Sequence, residues 1–180
     1  YNIGYHDKND TIFYISNSLL PKRTPGYDWE GVVPGNTQKT LWTETYDIEE
    51  LPQVIQPESG YIYNANHTPF RSSDSLDNPD QEQFSKNMGF ETYDNNRSTR
   101  LKELIDQYVR VSYADFKRIK YDRQYPKPFV FSWMDINHLD GLNPSAYPEL
   151  EELIGILQNW DRKADANSVG AGVFAVFYNQ

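Results

Sequence analysis

The first 16 residues place two short strand-like stretches on either side of a polar turn. Residues 2–6 and 11–16 predict two strands, and the turn Asp7-Lys8-Asn9-Asp10 between them predicts a hairpin. The run Ile12-Phe13-Tyr14-Ile15 is apolar at every position, so both faces of the second strand would carry apolar side chains. We therefore expect this strand to be covered on both sides.

The region that follows is rich in residues that interrupt regular structure. Prolines and glycines recur through residues 20–51, which predicts a long ordered loop. Its tryptophans, Trp29 and Trp42, are expected to anchor the loop by packing against the sheet. Residues 57–60 then predict a turn, and the Tyr-Ile-Tyr run at 61–63 predicts a short strand.

A polar tip follows this predicted strand, and it has two interpretations. An extended chain would place Asn64 and Asn66 on the same side, because side chains alternate along a strand. An asparagine in such a tip either bonds to nearby backbone as a turn device or presents its amide to a ligand. The pattern alone leaves both interpretations open.

The second half of the chain has the spacing of amphipathic helices. A helix is predicted after a cap at Asn95 or Asn96, with one buried apolar stripe. The stripe residues are Leu101, Leu104, Ile105, Tyr108 and Val109. Ser112 and Asp115 approximate a capping box for a second helix, which the prolines at 126 and 128 would end.

A further helix is predicted to open at Pro148. Its inward-facing residues would be Leu150, Leu153, Ile154 and Leu157. Two apolar stretches, residues 129–133 and 168–178, remain open between strand and helix. The small residues of the second stretch would suit close helix packing.

Composition excludes several classes of function. A net charge of −9 and a pI near 4.8 leave no basic stripe for nucleic acid, and no apolar run is long enough to span a membrane. The absence of cysteine excludes disulfides, thiolate metal sites and a cysteine nucleophile. Asp74, Asp77 and Asp80 could together hold a hard cation such as calcium, although such loops are more often solvated. The start at Tyr1, with neither an initiator Met nor a signal peptide, predicts an excised piece.

One segment resembles a known family. Residues 60–69 read Gly-Tyr-Ile-Tyr-Asn-Ala-Asn-His-Thr-Pro, and with residues 51–57 before them they resemble the signature of the penicillin acylase family. That family includes the acyl-homoserine-lactone acylases, and its members are N-terminal-nucleophile (Ntn) amidohydrolases. The resemblance extends to residues 9–15, 20–23, 27–31, 33–35 and 96–101.

The resemblance implies an α+β fold. Residues 1–70 would supply strands and a long loop to the αββα sandwich of an Ntn hydrolase. Residues 71–94 would form a polar connecting loop, and residues 95–180 a mainly helical subdomain. It also implies a periplasmic or secreted protein that requires no cofactor. Some relatives bind calcium in the loop equivalent to residues 71–80, so a structural calcium ion is possible here.

The resemblance also implies a mechanism and site residues. In the family, the amino-terminal Ser of a processed subunit attacks the amide, and its own α-amino group is the base. Residue 1 here is Tyr, so the nucleophile would lie on the rest of the precursor, and the isolated chain would be inactive. Asn66 matches the asparagine that stabilises the oxyanion, and Arg97 matches an arginine that orients it. The substrate would be a small amide, such as an acylated β-lactam nucleus or homoserine lactone.

Two alternatives remain. A glycan-binding module of a secreted protein would use the abundant Tyr and Trp faces as platforms, and such modules are mostly all-β. Alternatively, the chain mainly scaffolds a larger enzyme. The first alternative predicts almost no helix, whereas the family resemblance predicts a helical second half.

Overall fold

The computed structural model describes residues 1–131 and 136–179. It divides into two compact units, residues 1–94 and residues 95–180. In the described ranges the first unit holds a three-stranded antiparallel sheet and the second holds four α-helices. The predicted α+β class is therefore confirmed.

The sheet of the first unit is built around its second strand. The strands are β1 (Asn2–His6), β2 (Ile12–Ser16) and β3 (Gln53–Ile55), hydrogen-bonded in that order. The predicted hairpin is confirmed, since β1 and β2 pair with His6 opposite Ile12. The short strand β3 was not predicted, because three residues carry too little alternation to stand out.

The central strand β2 is covered on both faces, as its apolar run predicts. Ile12, Tyr14 and Ile15 are buried, and Phe13 is half-buried. Ile15 forms a small core with Leu51 and Met88. Burying an aliphatic side chain of this size stabilises the fold by roughly 1.5–3 kcal/mol, so β2 fixes the position of the segments around it.

The loop at residues 20–51 contains short 3₁₀ turns and one isolated bridge to its own start. Trp29 is half-buried, and its Nε1–H donates to the Thr24 carbonyl at 2.9 Å. Trp42 is 63% exposed and lies against the Arg23 guanidinium, so the prediction that it packs on the sheet is wrong. The cation on its face replaces the expected apolar contact.

The predicted strand at residues 61–63 is absent. The turn before it is confirmed, since the Gly60 N–H donates to the Pro57 carbonyl and Gly60 has a φ of +74°. The Tyr63 N–H then donates to the Ser72 carbonyl, at 2.8 Å, in an irregular segment. Tyrosine's β propensity reflects packing on a neighbouring strand, and within residues 1–131 and 136–179 no strand pairs with this segment.

The second unit contains α1 (Asn96–Ile105), α2 (Tyr113–Lys120), α3 (Glu151–Gln158) and α4 (Val169–Tyr178). The predicted caps of the first two helices are confirmed. Asn95 accepts from the Ser98 N–H, and Ser112 exchanges bonds with Asp115 in a capping box.

The predicted apolar stripes are only partly buried. Leu101, Leu104 and Ile105 on α1 are half-buried, and so is Tyr108, which lies just beyond the end of the helix. Val109 is fully exposed because the helix ends at Ile105. The third helix begins at Glu151 rather than at Pro148, with Ile154 buried but Leu150 and Leu153 exposed.

The stretch at 168–178 proves to be helical, with Ser168 as the cap of α4. Its small residues permit close packing as predicted, since Gly170 lies directly against the Trp160 ring. Phe174 joins Phe129 and Ile136 in the core of this unit. Residues 129–131 are neither strand nor helix, and residues 132 and 133 of that open stretch lie outside the described residues.

Candidate functional site

Asn66 is exposed, in the loop that follows the turn at residues 57–60. Its φ is +55°, in the left-handed region that asparagine tolerates better than most residues. Its N–H donates to the Asn64 side-chain oxygen at 3.1 Å, which closes an Asx turn. The chain is therefore not extended here, and the predicted alternation of the two asparagines is wrong.

Asn64 is the turn device, and the sheet holds it in place. Its Nδ2 donates to the Tyr14 hydroxyl at 3.3 Å, and that hydroxyl donates to Asn2 Oδ1 at 2.9 Å. Burial raises the pKa of Tyr14, so the phenol remains neutral and keeps its proton for this bond. Strands β1 and β2 thus reach the Asn66 turn through two polar side chains.

A buried histidine lies on the other side of Asn66. His67 is 4% exposed, and its Nδ1 accepts from the Ala65 N–H at 3.2 Å. Its Nε2 lies 2.7 Å from the Arg71 carbonyl oxygen. The ring stacks on Tyr63 with centroids 5.0 Å apart.

Three polar residues that follow Asn66 in the chain are fully buried. Thr68, Ser72 and Ser73 are at most 1% exposed. Thr68 Oγ1 accepts from the Phe70 N–H at the start of a short 3₁₀ turn. Ser73 Oγ donates to the Tyr61 carbonyl at 2.8 Å, so buried polar groups of this loop are bonded to one another.

The aspartates of the neighbouring loop are engaged with backbone. Asp77 accepts from the Glu58 and Ser59 N–H groups at 2.9 and 3.0 Å, and the hydrogen bonds from Ser59 lower the pKa of this carboxyl. Asp80 accepts from the Glu82 N–H. Among residues 1–131 and 136–179 no three His, Cys, Asp or Glu side chains gather as metal ligands, and the calcium site stays a prediction.

The second predicted site residue, Arg97, is exposed on the first turn of α1. The capping box of Asn95 and Ser98 on either side of it fixes the backbone there. Ser98 is fully buried, so this helix start is firmly set. Arg97 belongs to the second unit and Asn66 to the first, and each is placed within its own unit.

The sequence predicts a role for Asn66 but gives no sign of the residues that hold its turn. The spacing Asn-x-Asn carried the signal for the Asx turn between Asn64 and Asn66. Tyr14 lies 50 residues from Asn64 in the sequence, so no local pattern predicts their bond. The bonds of His67 to Ala65 and Arg71 are local, but they follow no recurrent sequence motif. What the assembled site offers is an exposed carboxamide on a turn with defined hydrogen bonds on both sides, which suits it to donate to an oxygen that gains charge.

The helices test two of the expectations from the sequence, the all-β alternative and the absence of a membrane span. Four α-helices in the described residues do not fit a nearly helix-free glycan module. None of the helices in those residues combines the length and apolar character that crossing a bilayer requires.

The comparisons with known proteins support the family resemblance of the sequence. The family model described as penicillin amidase matches residues 1–180. Penicillin G acylase from Escherichia coli is 40% identical over 68 residues, which is 38% of this chain. The matched part spans 8% of the length of that enzyme.

Proposed function

Since the chain belongs to the penicillin amidase family, we propose that it is part of an acylase-type amide hydrolase in which Asn66 stabilises the oxyanion. The nucleophile in this proposal is an amino-terminal Ser on another segment of the same precursor. The substrate is a small acylated amine of the β-lactam or homoserine-lactone type. The protein acts in the periplasm or outside the cell, and the isolated chain has no activity.

In the proposed reaction the nucleophile attacks the carbonyl carbon of the amide. The carbonyl π electrons move to the carbonyl oxygen, and the side-chain Nδ2–H of Asn66 donates to the oxyanion that forms. The α-amino group of the nucleophilic Ser takes the hydroxyl proton during the attack and gives it to the leaving nitrogen, so collapse breaks the C–N bond, releases the amine and leaves an acyl-enzyme. Water then hydrolyses the acyl-enzyme through a second oxyanion at the same place, and the amino group takes a proton from the water and returns it to the Ser oxygen. One donor of this kind lowers the barrier by about 3–4 kcal/mol.

The observation that supports this role is that hydrogen bonds already hold the turn at Asn66 in the absence of substrate. Asn66 is exposed, yet the Asn64 side chain bonds its backbone, and Tyr14 in the sheet bonds Asn64 in turn. A donor carried on a backbone that is already held needs less reorganisation when charge develops, and this is the main advantage of an oxyanion site over water.

Arg97 has the supporting role in this proposal. It is a permanent cation at a helix start that the Asn95–Ser98 capping box holds in place. This role comes from the family resemblance, in which the matching arginine orients groups of the active site. Replacing Arg97 by Lys keeps the charge but loses the planar fork, so it tests the orienting part of this role.

The test is kinetic and uses the protein made from its complete natural gene. We expect Asn66→Ala to lower kcat by about 10²–10³-fold on an aromatic or long-chain amide, with KM little changed, because the lost bond forms only in the transition state. The matched control is Asn9→Ala in the exposed turn between β1 and β2, which should leave kcat unchanged. Undiminished turnover by Asn66→Ala would remove the oxyanion assignment.

A further inference from the structure

We infer that His67 is a positioning residue, held in one neutral tautomer, that sets the turn carrying Asn66. The inference rests on the proposed function for its kinetic consequence. Its structural part, that His67 fixes the backbone around Asn66, stands on hydrogen bonds and burial within the first unit.

The two partners of the ring determine where its proton lies. The Arg71 carbonyl can only accept, so the His67 Nε2 that lies 2.7 Å from it carries the hydrogen. The Ala65 N–H can only donate, so the Nδ1 that lies 3.2 Å from it carries none. Both conditions are met together by a single form, the neutral imidazole protonated at Nε2.

These two bonds span the candidate donor. Ala65 precedes Asn66, and Arg71 lies beyond it in the short 3₁₀ turn at residues 69–71. The ring therefore links the backbone before Asn66 to the backbone after it, while Asn64 holds the N–H of Asn66 itself. A left-handed asparagine is costly to maintain without such neighbours, and the His67 ring bonds the backbone on both sides of it.

Burial and stacking keep the ring in this role. His67 is 4% exposed and stacks on Tyr63 with the ring planes 22° apart. Both nitrogens are engaged with backbone, so the ring has no nitrogen available to take a proton from a nucleophile or water. His67 thus acts through Asn66 rather than on the substrate.

Three substitutions separate the two bonds. The oxygen of an Asn side chain lies near the position of Nδ1, and the nitrogen of a Gln side chain lies near that of Nε2. His67→Asn therefore keeps an acceptor for Ala65, His67→Gln keeps a donor for Arg71, and His67→Ala keeps neither. A residue that only fills space would make the larger Gln a milder change than Asn at both bonds, whereas the two hydrogen bonds predict opposite orders for Ala65 and Arg71.

The first measurement needs no activity. In the full chain with ¹⁵N-labelled histidine, a long-range ¹H–¹⁵N spectrum at neutral pH should show His67 protonated at Nε2 only. Amide hydrogen exchange should show Ala65 exchanging at least about tenfold faster in His67→Ala and His67→Gln, but not in His67→Asn. A ring protonated at Nδ1, or an Ala65 amide that exchanges equally in all four proteins, would overturn the inference.

The second measurement is the kinetic consequence in the protein from the complete gene. We expect His67→Ala to lower kcat by about 10²-fold with KM nearly unchanged, since a misplaced donor costs about that much. Asn and Gln should each restore part of the loss. His6→Gln, at an exposed position on β1, is the matched control and should keep full activity.

The two proposals fail in different ways. If Asn66→Ala retains full kcat, the oxyanion role falls, while the tautomer and the exchange of Ala65 still decide whether His67 sets the turn. If Asn66→Ala loses activity but His67→Ala does not, the oxyanion role stands and the positioning role of His67 is wrong.

Discussion

The loop at residues 61–73 and the pair of helices α3 and α4 place polar and apolar side chains in opposite ways. In the loop the polar residues Thr68, Ser72 and Ser73 are fully buried beside the buried Pro69 and Phe70, and side-chain hydrogen bonds hold the polar ones. On the helices, aliphatic residues such as Leu153 and Val176 remain exposed around an apolar groove of about 600 Å³. The core beneath these helices is a cluster of rings, with Phe129 and Phe174 stacked 5.2 Å apart.

The difference separates two ways of specifying structure. Hydrogen bonds fix directions, so the loop can hold one asparagine in an uncommon conformation. Packed rings fix volumes, and they tolerate polar changes at the rim better than added bulk inside. The loop should therefore be sensitive to lost hydrogen bonds, and the helical pair to changes in volume.

The largest effect should come from added volume in the helical pair. A Cβ at Gly170 would overlap the Trp160 ring, so we expect Gly170→Ala to destabilise the second unit by about 3 kcal/mol. Gly172 is the matched control on the same helix, where nothing lies near an added Cβ, and its change to Ala should stabilise by about 0.5–1 kcal/mol. Urea unfolding of the full chain would measure both, and equal effects of the two substitutions would contradict the packing account.

The next effect should come from a lost hydrogen bond in the loop. Ser73→Ala removes a buried side-chain donor to the Tyr61 carbonyl and should destabilise the first unit by about 1–3 kcal/mol. Ser85→Ala is the control, because Ser85 caps a short turn at an exposed position. Hydrogen exchange of the sheet amides reports on this unit alone, and unchanged protection in Ser73→Ala would mean that the loop is not held as described.

A polar network in the second unit sharpens the comparison. Arg100 donates to both oxygens of Asp122, at 2.9 and 3.0 Å, and these bonds lower the pKa of Asp122 below its ordinary value of 3.8. Because the folded-state pKa is the lower one, the stabilisation is complete above 3.8 and is lost as pH falls through the folded-state value.

Acid unfolding of variants tests this network. We expect Arg100→Gln to reduce stability at neutral pH and to flatten its loss in acid, by about 1 kcal/mol or more. The exposed pair Arg123–Asp165, at 3.8 Å, is the control, and Arg123→Gln should change little. A stability curve for Arg100→Gln that runs parallel to the wild-type curve would contradict the assignment.

The smallest effect should come from polar substitution on the open helical face. Leu153 is 43% exposed, so Leu153→Gln should change the free energy of unfolding by no more than about 0.5 kcal/mol. The buried neighbour Ile154 is the matched contrast, and Ile154→Ala should cost about 2–4 kcal/mol. Equal losses from the two substitutions, measured by unfolding of the full chain, would show that the open face is packed.

The parts of this molecule that follow local rules could be predicted from sequence. The β1–β2 hairpin and the caps at Asn95 and Ser112 depend on neighbouring residues, and all three are confirmed. The strand expected at 61–63 failed because β structure depends on a partner strand, which a local pattern does not reveal.

The candidate site shows the same division. The Asx turn joining Asn64 and Asn66 is local and was among the two interpretations of the sequence. The Tyr14–Asn64 bond joins residues 50 positions apart, and it depends on the sheet being in place. Long-range hydrogen bonds of this kind produce no periodic pattern in the sequence. The residues that support Asn66 could therefore be identified only in the structure.

The central claim is that the Asn66 amide donates to a substrate oxygen that becomes negative. The most direct measurement is a crystal structure of the protein from the complete gene with a boronic acid that forms a tetrahedral adduct at the nucleophile. The account predicts Asn66 Nδ2 at about 2.7–3.1 Å from the adduct oxygen, with the turn unchanged. An Asn66 amide beyond about 3.5 Å from that oxygen, with another donor in its place, would contradict the account.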